Sequence, residues 1–250
     1  MSDILSVVVS ALRADQTKLE QSSLNAANAA TPGYRRATIA SLAFDQVLKA
    51  QETVGHGASN APTWAPTSAV LQRAVDFTPG ALQQTGRSLD VAIEGEGFLP
   101  LTDGSRTWLT RTASLQVDAS GDLVGPTGLR LLGALGNVHP GNDQDLSIST
   151  SGHIMRGEQL IGRIKLMTPT SEALMASADG VLFEVSSDQL NEASADQGVI
   201  RAGFLEGSNT SGLKEMLGVM ESVRHYESLI RLAQGYDEVL GKAIQRLGEV

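Results

Sequence analysis

The 250-residue chain has no cysteine. It therefore carries neither a disulfide framework nor a thiolate zinc site, and redox chemistry says nothing about its compartment. Aromatic residues make up only 4% of it, against 26 glycines, which suits small contacts and many turns better than a deep aromatic ligand pocket. Positive charge is also scarce: 19 Lys and Arg face 28 Asp and Glu, for a net charge of −9. The cations are scattered rather than striped, so there is little to neutralise phosphates, and no nucleic-acid partner is expected. No run approaches the roughly 18 to 20 apolar residues needed to cross a bilayer, so no membrane insertion is expected either. The opening MSDILSVVVSALRAD lacks a cationic segment and carries Asp3, so it is not read as a cleavable signal.

What is present is a pair of apolar stripes, one at each end. Leu5, Val8, Leu12, Asp15, Leu19, Ser22 and Ala26 follow the alternating three-and-four spacing of a helical seam. Met216, Val219, Val223, Tyr226, Ile230, Ala233, Asp237, Leu240, Ile244 and Leu247 keep the same spacing. Glu227 before Arg231 and Glu238 before Lys242 are favourable i,i+4 pairs and mark a solvated face. Asp15 and Asp237 each interrupt a seam, where a polar residue either fixes register at a cost in stability or sits at a solvated position. A helix from Leu213 to Gly248 would be roughly 50 Å long, more than the core of a chain this size covers. The expectation is a paired helical unit that orders fully against copies or relatives of itself. An ordinary intramolecular hairpin is the alternative.

Between the stripes the pattern changes to short strands. Leu89, Val91 and Ile93 alternate with Asp90, Ala92 and Glu94, and Asp103-Gly104 is a hairpin signal. Strands are expected at Leu115–Val117, Leu123–Val124, Leu129–Leu132, Gly162–Met167 and Gly180–Val185, with turns at Asp118–Gly121 and Pro126–Gly128 between the earlier ones. The fold class is α+β: paired N- and C-terminal coiled-coil helices plus a central β-rich domain of short antiparallel strands. Residues 1–30 with 211–250 form the helical domain and 78–210 the β-rich domain. Residues 31–77 are a connector, with a short helical pattern at Leu42–Leu48 and a polar stretch around Trp64.

Chemistry that the sequence offers is weak. His56, His139, His153 and His225 have no metal-ligand spacing. Ser211-Gly-Leu-Lys214 matches an acyl-transfer pattern without its companion motifs and is read as a helix start. Gly95-Glu-Gly97 lacks the third glycine of a dinucleotide fingerprint, since position 100 is Pro, and is read as a turn. Asp90 with Glu94 or Glu96 could pair for glycoside chemistry, which keeps a periplasmic carbohydrate-active enzyme as the reading from another class. A secreted adhesin with a coiled-coil stalk is a third. No cofactor and no metal are expected.

One resemblance ties the blocks together. Asn25-Ala-Ala-Asn28-Ala-Ala-Thr31-Pro32-Gly33-Tyr34 resembles the signature of the bacterial flagellar axial proteins, the rod and hook group. Asn28 tolerates a left-handed conformation, Pro32 stops a helix and Gly33 allows the turn. The likeness continues in Thr78-Pro-Gly80, in Thr85 to Phe98, in Thr110-Arg111, in Leu205-Glu206-Gly-Ser208-Asn209, and in Met216, Met220, Arg224, Tyr226 and Glu227. The chain departs from the family where Leu99-Pro100 follows Phe98, and where Leu109, Ala113 and Leu115 replace commoner Tyr, Gly and Phe. Pro100 is expected to confine its strand to an edge or a bulge.

The resemblance implies a non-enzymatic subunit of the flagellar basal-body rod. It implies export by the flagellar type III apparatus, a place in the periplasmic rod, transmission of torque and enclosure of the export channel. Length, the Gly162-Arg-Ile-Lys-Leu166 stretch and the lack of a large insertion are most similar to the proximal-rod branch, with the distal-rod branch next. The partners implied are copies of itself, other rod proteins and the export apparatus. The terminal helices would form an inner layer and the β-rich domain an outer one. The assembly interface expected on this basis comprises Leu5, Val8, Leu12, Leu19, Asn25, Asn28, Pro32, Gly33, Tyr34, Met216, Val223, Tyr226, Ile230, Leu240 and Ile244.

Overall fold

The computed structural model describes residues 2–41, 71–134, 136–141, 146–171, 176–177, 179–193 and 198–248. The helical pattern at 42–48 and Trp64 lie outside these residues. Two compact units emerge: residues 1–27, 37–76 and 211–250, and residues 28–36 with 77–210.

The first unit is built on two long helices, α1 (Ser2–Ala27) and α2 (Gly212–Gly248). Helix α1 contains neither proline nor glycine, so nothing in its interior opposes the helical backbone. Helix α2 spends three positions on Gly218, Gly235 and Gly241, each unfavourable by about 1 kcal/mol relative to alanine. Its order therefore depends on packing, and α1 supplies the largest share of that packing. A two-stranded antiparallel ladder, Ala37–Ser41 against Leu71–Val75, completes this unit. The ladder opens and closes the segment read from sequence as a connector.

The second unit is made of short antiparallel strands. An eight-stranded sheet runs in the order 176–177, 183–185, 107–110, 99–102, 130–133, 123–124, 116–117, with 136–137 paired to 130–133. A three-stranded sheet places Asp90–Gly95 between Gly198–Ala202 and Thr112–Ser114. A second three-stranded sheet (146–148, 153–156, 159–163) and two further pairs surround these. Aliphatic side chains converge on one core that includes Val91, Ile93, Leu99, Leu101, Leu115, Leu123, Leu131, Ile154 and Ile200. Leu109, Ala113 and Leu115, the positions without the family's usual aromatics or glycine, are all buried. A small aromatic cluster remains: Phe77 meets Phe98 edge-on at 6.2 Å and Phe183 at 5.1 Å.

Three strand expectations need correction. Pro100 lies in Leu99–Thr102, which is an interior strand of the large sheet, between Thr107–Thr110 and Arg130–Gly133. The reason proline is tolerated is local: the ladder to Arg130–Gly133 covers only Leu101 and Thr102, because Leu132 and Gly133 pair with Gly136–Asn137 instead, so Pro100 lies outside that ladder. The segment 162–167 is two strands, because Gln159–Arg163 pairs with His153–Arg156 whereas Met167–Pro169 pairs with Leu190–Glu192. Of 180–185 only Phe183–Val185 is extended in a ladder. Upstream, the Asp179 carboxylate accepts the amides of Val181 and Leu182 and bends the chain.

Candidate assembly surface

Among its described side chains the helix pair buries mainly polar residues and leaves apolar ones exposed. Among the described side chains of α1 and α2, Val8 is the one hydrophobic residue that is fully buried, while Asp15, Gln21, Asn25 and Glu215 are also buried. Helix α2 buries Glu215 fully and Gly218, Val219, Ser222, Leu229, Ile230, Ala233 and Tyr236 in part, with Glu215 and Gly218 lying against α1. On its other side Leu213, Met216, Leu217 and Met220 are 72%, 60%, 56% and 52% exposed. The α2 stripe read from spacing is thus divided: Val219, Ile230 and Ala233 are half-buried, whereas Met216, Val223, Tyr226, Asp237 and Ile244 are exposed. On α1, Val8 is buried and Leu12 and Leu19 are half-buried, and Val7, Val9 and Leu24 face outward. The side chains of Leu5 and Leu240 lie outside the described set.

Polar contacts run between the helices. The carboxylate of Asp15 meets Nδ1 of His225. Asn25 sits at the other end, where its side-chain amide donates to the carbonyl of Ala37 (2.8 Å) and to Glu215 Oε2 (3.3 Å). Its Oδ1 accepts from the backbone N–H of Ala37 (3.2 Å) and from Gln21 (3.1 Å). Asn25 therefore imitates a strand partner for Ala37 and satisfies both of that residue's backbone groups. Between these two contacts Gly218 faces Ser22: an added Cβ would make an ordinary van der Waals contact, 3.8 Å from Ser22 Oγ.

The remainder of the Asn25–Arg36 signature belongs to the β-rich unit. Asn28 accepts from the Thr31 amide through its carbonyl and from the Thr31 hydroxyl through Oδ1. Pro32 is exposed. Gly33 adopts φ +75, and its N–H donates to the Glu206 carbonyl at 2.7 Å. That φ is open to glycine and strained for other residues. Tyr34 and Arg35 are wholly enclosed. Of the expected interface residues in this segment, only Asn28 and Pro32 keep part of their surface outside; Gly33 and Tyr34 serve the interior.

A buried carboxylate organises that interior. Glu206, fully enclosed, accepts from Arg35 Nη2 at 2.6 Å, from Arg111 Nε at 3.1 Å and from the Gly80 amide at 2.7 Å. Each arginine reaches on to backbone: Arg35 to the carbonyl of Thr78, and Arg111 to those of Gly97 and Ile93. Arg111 also lies over the Phe98 ring at 5.8 Å. Asn209 closes the circle by accepting from the Arg36 amide and donating to Thr78. The separated sequence blocks around Thr31–Arg36, Thr78–Gly80, Arg111 and Glu206–Asn209 thus meet in one place. Gly80 is required there, since a Cβ would fall 2.0 Å from the Gly207 carbonyl oxygen.

The carboxylates considered for glycoside chemistry are engaged otherwise. Asp90 is buried and accepts from the Ser114 hydroxyl at 2.7 Å, and Glu94 is held by Arg201 Nε at 2.6 Å. His139 faces Asp122 and His153 faces Ser151; His56 lies outside the described residues. Among the described residues no group of acidic and histidine side chains is arranged to hold a metal, and no helix is long and apolar enough to cross a membrane.

Arg35, Arg111, Glu206, Gln21 and Glu215 were not singled out from the sequence. Charged and amide side chains are rarely buried, so spacing gives no signal for them. Arg111 and Glu206 do fall inside the blocks shared with the axial proteins, which was the available clue.

The comparisons with known proteins agree with that clue. Residues 92–156 match the flagellar hook protein FlgE/F/G D1 domain, and residues 201–246 match the flagellar basal body rod FlgEFG protein C-terminal region. The chain is 30% identical to the flagellar basal-body rod protein FlgF of Escherichia coli K12 over 242 residues, covering 89% of each chain. It is 29% identical to FlgF of Salmonella typhimurium with the same coverage, and 26% identical to FlgG of Bacillus subtilis over 94% of this chain and 96% of that one.

Proposed function

Given that the chain belongs to the flagellar basal-body rod protein family, we propose that it is a proximal-rod subunit that polymerises through its two terminal helices. It is a structural protein of the basal-body rod, not an enzyme, and assembles with rod subunits. On this reading its neighbours are copies of itself and the adjacent rod proteins, it reaches the periplasmic rod through the flagellar type III apparatus, and its helices line the export channel and carry torque. The helices form the inner layer and the β-rich domain the outer one, with heterologous contacts between subunits. Of the interface residues named above, Met216, Val223, Tyr226 and Ile244 contribute directly to those contacts, and Val8, Leu12, Leu19 and Ile230 hold the pair in shape for them. Ordering of the terminal helices is completed when neighbouring subunits cover their exposed apolar side chains.

The observation that carries this reading is the row of exposed apolar side chains on α2, from Leu213 through Met216 and Leu217 to Met220. Burying each would contribute roughly 1.5–3 kcal/mol, while association costs about 4–15 kcal/mol. One pairwise contact is marginal; a subunit touched on several sides in a polymer is held. The test is Met216→Asp with Met220→Asp. The expected result is a secreted, folded chain with unchanged circular dichroism that is missing from purified basal bodies, in non-motile cells. Normal incorporation would overturn the reading. Similarity to FlgG over 94% of this chain supports a second reading, a distal position in the same rod. Locating a tagged subunit along isolated rods by electron microscopy decides between them.

A further inference from the structure

We propose that the contacts Asp15–His225 and Asn25–Glu215 fix the register in which α1 lies against α2, and so set where along α1 the exposed apolar row of α2 is presented. Three facing pairs define the register: Asp15 with His225, Ser22 with Gly218 and Asn25 with Glu215. In each, the two residue numbers total 240, so the helices are antiparallel and the two polar contacts sit ten residues apart on both.

The apolar part of the seam does not define a register by itself. Val8, Leu12 and Leu19 on one side, and Val219, Leu229, Ile230 and Ala233 on the other, are small and medium aliphatics, and all but Val8 are only partly covered. Sliding one helix by seven residues keeps such a stripe opposite a stripe. The polar contacts do not survive that slide. Moved one heptad either way, Asp15 would face Gly218 or Leu232 while remaining within the seam. A buried carboxylate without a partner is strongly unfavourable. Asn25 adds a second constraint, because its amide already holds both backbone groups of Ala37 and accepts from Gln21. These side chains act as positioning residues: they contribute little apolar burial and reject the neighbouring registers.

The consequence for function lies in the outward row. Slippage would shift Met216, Leu217 and Met220 along α1 by about 10 Å, one heptad at 1.5 Å per residue. Only this last step rests on the assembly reading.

The absence of cysteine makes the register directly measurable in the full chain. Ser22→Cys with Gly218→Cys reports the observed register, and Leu19→Cys with Lys214→Cys reports the slipped one. Under mild oxidation the otherwise native chain should close the first pair and not the second. Adding Asp15→Leu and His225→Leu should lower closure of the first pair several-fold and allow the second, with helical content retained. Exchanging the partners, Asp15→His with His225→Asp, should restore the original pattern, which a purely stabilising role would not require. Cross-linking that is unchanged by the two leucines, or not restored by the exchange, overturns the proposal. If the leucine variant slips in isolation yet enters rods normally, the register proposal stands and the assembly reading falls.

Discussion

The two units of this chain treat polar and apolar groups in opposite ways. In the β-rich unit most of the described aliphatic side chains are enclosed and even charge is drawn inside, with Arg35, Arg111 and Glu206 all buried and joined. In the helical unit the buried set is mainly polar, and leucines and methionines stand in the open. The lesson is about sufficiency. The β-rich unit encloses its main core and joins its buried charges internally, whereas among the described residues the helical unit leaves apolar surface exposed, the kind of surface that marks an interaction site.

The sharpest way to break the contrast is Glu206→Leu. It leaves Arg35 and Arg111 enclosed without their carboxylate, and loss of one partner from a buried ionic cluster costs about 3–5 kcal/mol. Urea unfolding followed by Trp108 fluorescence, in a Trp64→Phe background, should show that loss, while the helical signal at low denaturant is unchanged. A matched pair of truncations comes next. Leu131→Ala, at a fully enclosed position, should destabilise by about 2–5 kcal/mol. Leu213→Ala, on the open face of α2, should stay within about 0.5 kcal/mol in the monomer. Equal effects in chemical denaturation would erase the distinction between the units.

The smallest effect concerns Asp103 in the turn after Leu99–Thr102. The backbone N–H groups of Arg106 and Ser105, then the Ser105 hydroxyl, lower its pKa from 3.8 to about 2. Because the folded-state value is depressed, its contribution is complete above the unfolded value and disappears as pH falls through the folded one. A carbon-13 NMR titration of the Asp103 carboxyl should give a midpoint near 2, and a midpoint near 3.8 would mean that the turn does not hold it.

Much of the architecture was legible because it rests on periodicity. The three-and-four spacing located both helices, and alternation with Gly and Asp turns located the strands at Asp90–Gly95, Leu123–Val124 and Arg130–Gly133. The rotation of α2 about its axis was less legible. Spacing assumes that the most apolar face turns inward, yet Glu215 and Gly218 lie against α1 while Met216 and Met220 are exposed, because the choice depends on specific polar partners on α1. Pro100 misled for a related reason: the pairing between two neighbouring strands can end partway along them. The hub at Glu206 was invisible to any local pattern, since its members are drawn from four distant stretches of chain.

That last feature has a bearing on timing. Ribosomes deliver a chain from its N-terminus, so Arg35, Gly80 and Arg111 emerge long before the acid that unites them. Until residue 206 appears, the carboxylate that joins these groups is missing, and contacts of such wide sequence separation are slow to form. Final closure of the β-rich unit therefore waits for nearly the entire polypeptide, which prolongs the interval in which the chain remains pliable.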